Sequence, residues 1–162
     1  MDSCKRIKLM VMDVDGTLTD GKIYMGNNGE IMKAFDIKDG CGIHDILLPS
    51  GIKPVIITGR NSEILKNRCR EIGIDLLYQG VKDKEIRLEK VLLELNCTLS
   101  EVAYIGDDIN DLPCMAKVKA AGGIIGCPKD AVESVKYISD FISKKDGGRG
   151  AVRDFIEYVV TN

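Results

Sequence analysis

Apolar residues recur along this chain with two alternating periods, one of strands and one of helices. The run at residues 7–12 is nearly continuous in apolar side chains and reads as a buried strand, ending in Asp13-Val14-Asp15-Gly16-Thr17-Leu18-Thr19-Asp20. Residues 22–25 and 30–35 flank Asn27-Asn28-Gly29, which predicts a β-hairpin because Asn and Gly tolerate positive φ. Asp39-Gly40 opens a short helix carrying Ile43, Ile46 and Leu47, closed by Pro49-Ser50-Gly51. A second buried strand at 54–57 leads into Thr58-Gly59-Arg60. Residues 62–72 place Ile64, Leu65, Cys69 and Ile72 at helical spacing before Gly73, which suits the end of a helix.

The alternation continues through the second half. A short strand at 76–78 precedes a helix at 84–95 with Leu88, Val91, Leu92 and Leu95 on one face. Ser100 then leads to a strand at 102–105 that ends at Gly106-Asp107-Asp108. A further helix holds Leu112 and Met115, the small residues Ala120-Ala121-Gly122-Gly123 follow, and a last helix carries Val152, Phe155, Ile156 and Val159. Strands alternating with helices predict an α/β fold, a doubly wound parallel sheet covered on both faces. The expected organisation is a single domain over 1–162, with a hairpin flap at about 22–35 and a tail at about 145–162. In such sheets ligands bind beyond the carboxyl ends of the strands, where each polar cluster above falls.

Composition narrows the classes of function. The 162 residues are 44% hydrophobic, enough for one sizeable core, and 23 basic against 25 acidic residues give a net charge of −2. That balance offers no field for nucleic acid or an anionic membrane surface, so neither is an expected partner. No stretch approaches the roughly 20 apolar residues of a membrane span. Lys5, Arg6 and Lys8 precede too short an apolar run for a signal peptide, and the expected location is cytoplasmic. The six cysteines contain no C-x-x-C pair, so neither a zinc site nor a disulfide framework is expected. His44, the only histidine, forms a lone C-x-x-H with Cys41 and is the one candidate histidine base.

The chemistry concentrates at the strand ends. Residues two apart on a strand point the same way, so Asp13 and Asp15 can aim at one small volume, where their charges repel unless a cation or a shared proton relieves them. Asp13-x-Asp15-Gly16-Thr17, Thr58-Gly59-Arg60, Lys84 and Gly106-Asp107-Asp108-x-x-Asp111 follow in that order. This ordered set resembles the haloacid dehalogenase superfamily of phosphohydrolases, and the likeness covers essentially the whole chain. It implies that Asp13 is a nucleophile forming an aspartyl-phosphate and that Asp15 serves as general acid and then base. Magnesium (Mg2+) is implied on Asp13, Asp107 and the backbone carbonyl of Asp15. Thr58, Lys84 and backbone N–H groups near residues 14–16 would bind the phosphoryl oxygens, and Asp108 would orient Lys84 or support the metal from behind. Asp111 reads either as part of this set or as a helix cap.

Between Asp15 and Thr58 there is room for only a hairpin and one helix, so no cap domain is expected. Tyr78-Gln-Gly-Val-Lys-Asp-Lys84 and Gly147-Gly-Arg-Gly-Ala-Val-Arg153 add to a resemblance with the capless, tetrameric sugar acid phosphatases of that superfamily. The substrate this implies is a sugar acid phosphate, 3-deoxy-D-manno-octulosonate 8-phosphate first, within lipopolysaccharide biosynthesis. Nine-carbon ulosonate 9-phosphates, or an inactive oligomerisation module beside a cytidylyltransferase, are the alternatives. Arg60 with Gly59 would bind the sugar acid carboxylate, and Arg149 would reach a neighbouring subunit's site from a mobile Gly-rich tail. A phosphoacceptor receiver domain also combines acids, Thr and Lys, but its paired acids sit on the first strand, whereas Asp107-Asp108 follow Lys84 here.

Overall fold

The computed structural model describes residues 7–162, so Cys4, Lys5 and Arg6 lie outside the described residues. In chain order the elements are β1 (Leu9–Met12), β2 (Tyr24–Gly26), β3 (Gly29–Met32), α1 (Ile37–Cys41, running on into a π-helical turn at Gly42–Leu47) and β4 (Lys53–Ile57). Then come α2 (Glu63–Ile72), β5 (Leu76–Tyr78), α3 (Lys84–Glu94), a 3₁₀ turn at Leu99–Glu101 and β6 (Val102–Ile105). The chain ends with α4 (Leu112–Ala120), β7 (Ile124–Cys127), α5 (Glu133–Ile138), β8 (Phe141–Ile142) and α6 (Ala151–Thr161).

Six strands form one parallel sheet in the order β5-β4-β1-β6-β7-β8, and β2 and β3 make a separate antiparallel hairpin. β1 lies inside the sheet with Leu9 opposite Lys53 on one side and Val102 on the other. All four of its side chains are buried, which is why the segment reads as an apolar run rather than an alternation. Leu9 and Val11 face the layer built by Leu88, Val91 and Leu92 of α3 and Cys114, Met115 and Val118 of α4. Met10 and Met12 face the opposite layer, with Ile43 and Leu47 after α1, Leu65 and Cys69 of α2, and Val152, Phe155 and Ile156 of α6.

Several expectations need revision. The hairpin strands are shorter than 22–25 and 30–35, although the Asn27-Asn28-Gly29 turn is present, with Gly29 at φ 111°. α1 starts two residues before Asp39, because the Asp36 carboxylate accepts from Lys38 N at 2.7 Å and caps it there. β7, α5 and β8 have no counterpart in the predicted order, and they extend the sheet beyond β6 on one side. The Gly-rich tail is not a free segment in this structure. Gly147 N donates to Asp130 Oδ1 at 2.9 Å, Gly148 N donates to Thr17 O at 3.1 Å, and Gly150 N donates to Asp39 Oδ2 at 3.3 Å. A Cβ on Gly147 would lie 1.9 Å from Gly16 O, so only glycine lets this strap touch the loop after β1.

Candidate active site

The site forms where β1, β4 and β6 end. Asp13 N still donates to Ile105 O at 3.1 Å, so Asp13 continues the β1 ladder in phase with Leu9 and Val11 and shares their face with Tyr104. The chain then turns sharply as Thr17, Leu18 and Thr19 N–H groups converge on Val14 O at 3.1, 2.9 and 3.1 Å. Gly16, at φ 93°, lets that turn press on Asp107, whose Oδ2 would sit 2.0 Å from a Cβ there. Thr17 Oγ1 donates to Asp107 Oδ1 at 2.9 Å and fixes the second carboxylate against the first loop.

Behind Asp13 lies a buried ion cluster. Lys84, at the first position of α3, donates to Asp13 Oδ1 at 2.7 Å and to Asp111 Oδ1 at 2.8 Å. Asp83 caps that helix by accepting from Ile86 N at 3.0 Å, which places the lysine at the helix start. Asp111 is fully buried; its Oδ1 also accepts the Tyr104 hydroxyl at 2.8 Å, and its Oδ2 accepts Asp107 N at 3.2 Å and Asp108 N at 3.4 Å. Asp111 is therefore the residue that holds Lys84. Asp108, for which holding Lys84 is one of two expected roles beside supporting the metal from behind, is exposed, and its carboxylate accepts from the next backbone N–H, Ile109 N, at 2.7 Å.

Burial governs the charges here. It pushes the Asp13 carboxyl up to about 6, with Asp111 adding to the rise and Lys84 opposing it. Asp107 is pushed up to about 8, by burial first and by the Asp13 charge second. Burial alone would lower Lys84, but the carboxylates of Asp13 and Asp111 outweigh it and hold the ammonium above its usual range. Oxygens of Asp13, Asp107 and Asp111 all lie within 4.8 Å of one another. Asp13 and Asp107, mutually repelling hard donors pushed above the carboxylate range, suit a divalent oxygen-seeking cation that would favour their ionised forms. Asp111 has its oxygens taken up by Lys84, Tyr104 and two N–H groups, which fits it for holding Lys84 more than for holding a metal. The Asp15 carboxylate is not in that cluster.

A cleft opens in front of Asp13, lined by Asp13, Asp15, Gly21, Thr58, Gly59, Arg60, Asp107, Asp108 and Asn110. The sequence-predicted residues Asp13, Asp15, Thr58, Gly59, Arg60 and Asp107 meet there, with Lys84 just behind. Thr58 is buried at the end of β4, its N–H donating to Tyr78 O at 3.0 Å. Arg149 is exposed beside Asp20 and Tyr24 of its own chain, outside this lining. His44 pairs with Asp45 at 2.6 Å on the exposed surface and contributes nothing to the cleft. Reasoning from sequence missed Lys33 and Glu30. Lys33 Nζ lies 2.5 Å from Asp15 Oδ1 and 3.0 Å from Glu30 Oε1, and Glu30 Oε2 accepts from Ser62 Oγ at 2.5 Å. Their polar character in a hairpin strand carries no sign of such distant partners.

Known proteins bear on this geometry directly. The model of the haloacid dehalogenase-like hydrolases matches residues 45–119. The 3-deoxy-D-manno-octulosonate 8-phosphate phosphatase of Escherichia coli strain B is 42% identical over 160 residues, covering 99% of this chain and 82% of that protein. The chain belongs to the haloacid dehalogenase-like hydrolases. Solved structures of this hydrolase group agree in fold. That of the Moraxella catarrhalis 3-deoxy-D-manno-octulosonate 8-phosphate phosphatase, in complex with a magnesium ion, a phosphate ion and a KDO molecule, superposes with a TM-score of 0.89 at 40% identity, over 97% of this chain and 87% of that one. The cobalt-bound deoxy-D-mannose-octulosonate 8-phosphate phosphatase of Haemophilus influenzae gives a TM-score of 0.89 at 36% identity, over 97% of this chain and 89% of that one. As expected for a capless hydrolase, only the hairpin and α1 with its π-turn separate β1 from β4.

Proposed function

We propose that this hydrolase cleaves a sugar acid phosphate monoester, 3-deoxy-D-manno-octulosonate 8-phosphate first, with magnesium and through an aspartyl-phosphate on Asp13. The observation that carries the reading is the convergence of Asp13, Asp107 and Lys84 at the floor of a cleft rimmed by Asp15, Thr58 and Arg60. The choice of sugar acid follows the Moraxella and Escherichia relatives.

In the first half-reaction an Asp13 oxygen attacks phosphorus, the bond from phosphorus to the sugar oxygen breaks, and Asp15 gives its proton to that oxygen. In the second, water attacks the aspartyl-phosphate, Asp15 takes the water's proton, and Asp13 leaves as a carboxylate with inorganic phosphate released. Lys84, held on two carboxylates, keeps Asp13 aimed and places positive charge beside the reacting group, while the Thr58 hydroxyl donates to a phosphoryl oxygen. Asp13 and Asp107 would hold magnesium, which when bound offsets the repulsion between an anionic nucleophile and an anionic phosphate. Arg60 is partly exposed at the cleft mouth, where its fork can take the carboxylate of the sugar acid.

A homotetramer and a cytoplasmic location complete the proposal. Support for assembly comes from apolar side chains that the chain alone leaves exposed on the hairpin and just after it, Met25, Ile31 and Ile37 among them. Support for the compartment comes from the free thiols of Cys41, Cys69, Cys97, Cys114 and Cys127. The deciding experiment measures phosphate release from 3-deoxy-D-manno-octulosonate 8-phosphate and from a nine-carbon 9-phosphate, with magnesium and with chelator. Turnover with magnesium, preference for the eight-carbon ester and silence of Asp13→Asn support the reading. Preference for the nine-carbon ester reassigns the substrate, and undiminished activity in Asp13→Asn overturns the mechanism.

A further inference from the structure

Asp15 does not stand alone in the cleft. Lys33, immediately after β3, donates to its Oδ1 at 2.5 Å, and Arg60 Nε lies 3.9 Å from its Oδ2. The Lys33 side chain is only 3% exposed, although it directly follows Ile31 and Met32, whose side chains face solvent. Its ammonium is further anchored by Glu30 Oε1 at 3.0 Å, and Glu30 is in turn tied to Ser62, the cap of α2. A buried ammonium needs such compensation, and compensation on two sides fixes its position. One oxygen of Asp15 is thereby pinned, which sets the direction in which the other faces the cleft.

We propose that Lys33 is a positioning residue for Asp15, aligning its carboxyl group with the leaving oxygen of the substrate. The inference rests on the phosphatase reading, in which Asp15 is the acid. Lys33 is too buried to meet substrate itself, so it acts through the carboxylates it holds, and Asp15 is the one of these that lines the cleft. The end of the hairpin consequently contributes to the proton transfer from a distance. Alignment matters most where the departing oxygen is basic. A sugar alkoxide needs a proton as the bond breaks, whereas a nitrophenolate leaves without one.

The test compares single-turnover phosphoryl transfer from 3-deoxy-D-manno-octulosonate 8-phosphate and from p-nitrophenyl phosphate in wild type, Lys33→Met, Asp15→Asn and the double variant. Lys33→Met should lose on the order of 10-fold or more on the sugar ester beyond any loss on the aryl ester, within the roughly 10²- to 10⁴-fold worth of a general acid. That selective loss should vanish in the Asp15→Asn background, because both changes then act on the same proton transfer. If Glu30, left with only Ser62 and the more distant Arg60, prevents Lys33→Met from folding, Lys33→Met with Glu30→Gln replaces it in each arm. Equal losses on both esters, no loss on either, or additive losses with Asp15→Asn would overturn the positioning role. Failure of the wild type to turn over either ester is a separate result that removes the phosphatase reading itself.

Discussion

The phenol of Tyr104 donates to Asp111 Oδ1 at 2.8 Å, on the same oxygen that receives the Lys84 ammonium at 2.8 Å. Both side chains are fully buried, so the bond has no solvent to replace it. Tyr104→Phe should cost about 1–2 kcal/mol in urea unfolding, and loosen Lys84 enough to lower kcat several-fold with KM little changed. A variant with unaltered unfolding midpoint and kcat would show that the Asp111 charge is already satisfied without the phenol.

Magnesium should stabilise the fold through Asp107. A cation bound to the native state alone raises stability by RT ln(1 + [L]/Kd), about 2.7 kcal/mol at 100 Kd, and its chelation reverses the gain. Asp107→Asn keeps an acceptor for the Thr17 hydroxyl but removes a ligand charge. Thermal melts should therefore rise with added magnesium for the wild type and stay flat for Asp107→Asn. Equal rises in both proteins would place the cation elsewhere.

Gly147→Ala should damage stability and catalysis together. The added Cβ would meet Gly16 O at 1.9 Å, so either the strap or the nucleophile loop must move, at a cost of roughly 1–3 kcal/mol. Gly59→Ala is the control for stability, since its Cβ would meet nothing closer than 3.6 Å. Circular dichroism melts of the two variants, with kcat measured for Gly147→Ala, check this; comparable melts would mean that the strap yields freely.

Asp39 gives the protein a pH dependence outside the cleft. It is buried under the start of α6, where Oδ1 accepts Arg153 N at 2.8 Å and Oδ2 accepts Gly150 N at 3.3 Å. Burial pushes it up to about 6 from 3.8; the two N–H donors oppose the rise, and the charges of Asp36 and Asp154 add to it. The folded chain therefore holds this proton more tightly than the unfolded chain. Its stabilising contribution is complete below about 3.8 and is lost as pH rises to about 6. The stability of wild type relative to Asp39→Asn should fall across that window by roughly 3 kcal/mol at most, at 1.36 kcal/mol per pK unit. Chemical denaturation at several pH values tests it, and a difference that stays constant or grows with pH would contradict the sign.

The parts of this molecule legible in its sequence are those where one residue's neighbours in the chain decide its surroundings. The β1 run and the Asp13-x-Asp15-Gly16 turn belong here, as do α2 with Ser62 accepting from Leu65 N and Gly73 in the left-handed region at its end. β7 is harder to read, because its Gly126 offers no apolar side chain. The reason lies in α6: a Cβ on Gly126 would meet the Phe155 ring at 2.6 Å. α5 has six residues and β8 two, too few for a period to emerge. In the site, the sequence leaves Asp111 open between a member of the acidic set and a helix cap, because Lys84, far away in the chain, and Tyr104, on the preceding strand, close on it only in the fold. The same holds for Lys33 and Asp15, joined only by the fold of the hairpin.

The place of β1 within the sheet has a further consequence for how the chain comes into being. It is synthesised before both strands that flank it, β4 and β6, and well before the strap that packs on its loop. A ribosome therefore releases an apolar segment with both edges unpaired and must extend the chain past residue 150 before the nucleophile loop has all its neighbours. Non-local pairing of this kind slows folding and leaves early intermediates open to aggregation. The yield of active protein should accordingly respond to translation speed and chaperone supply as well as to the stability of the finished fold.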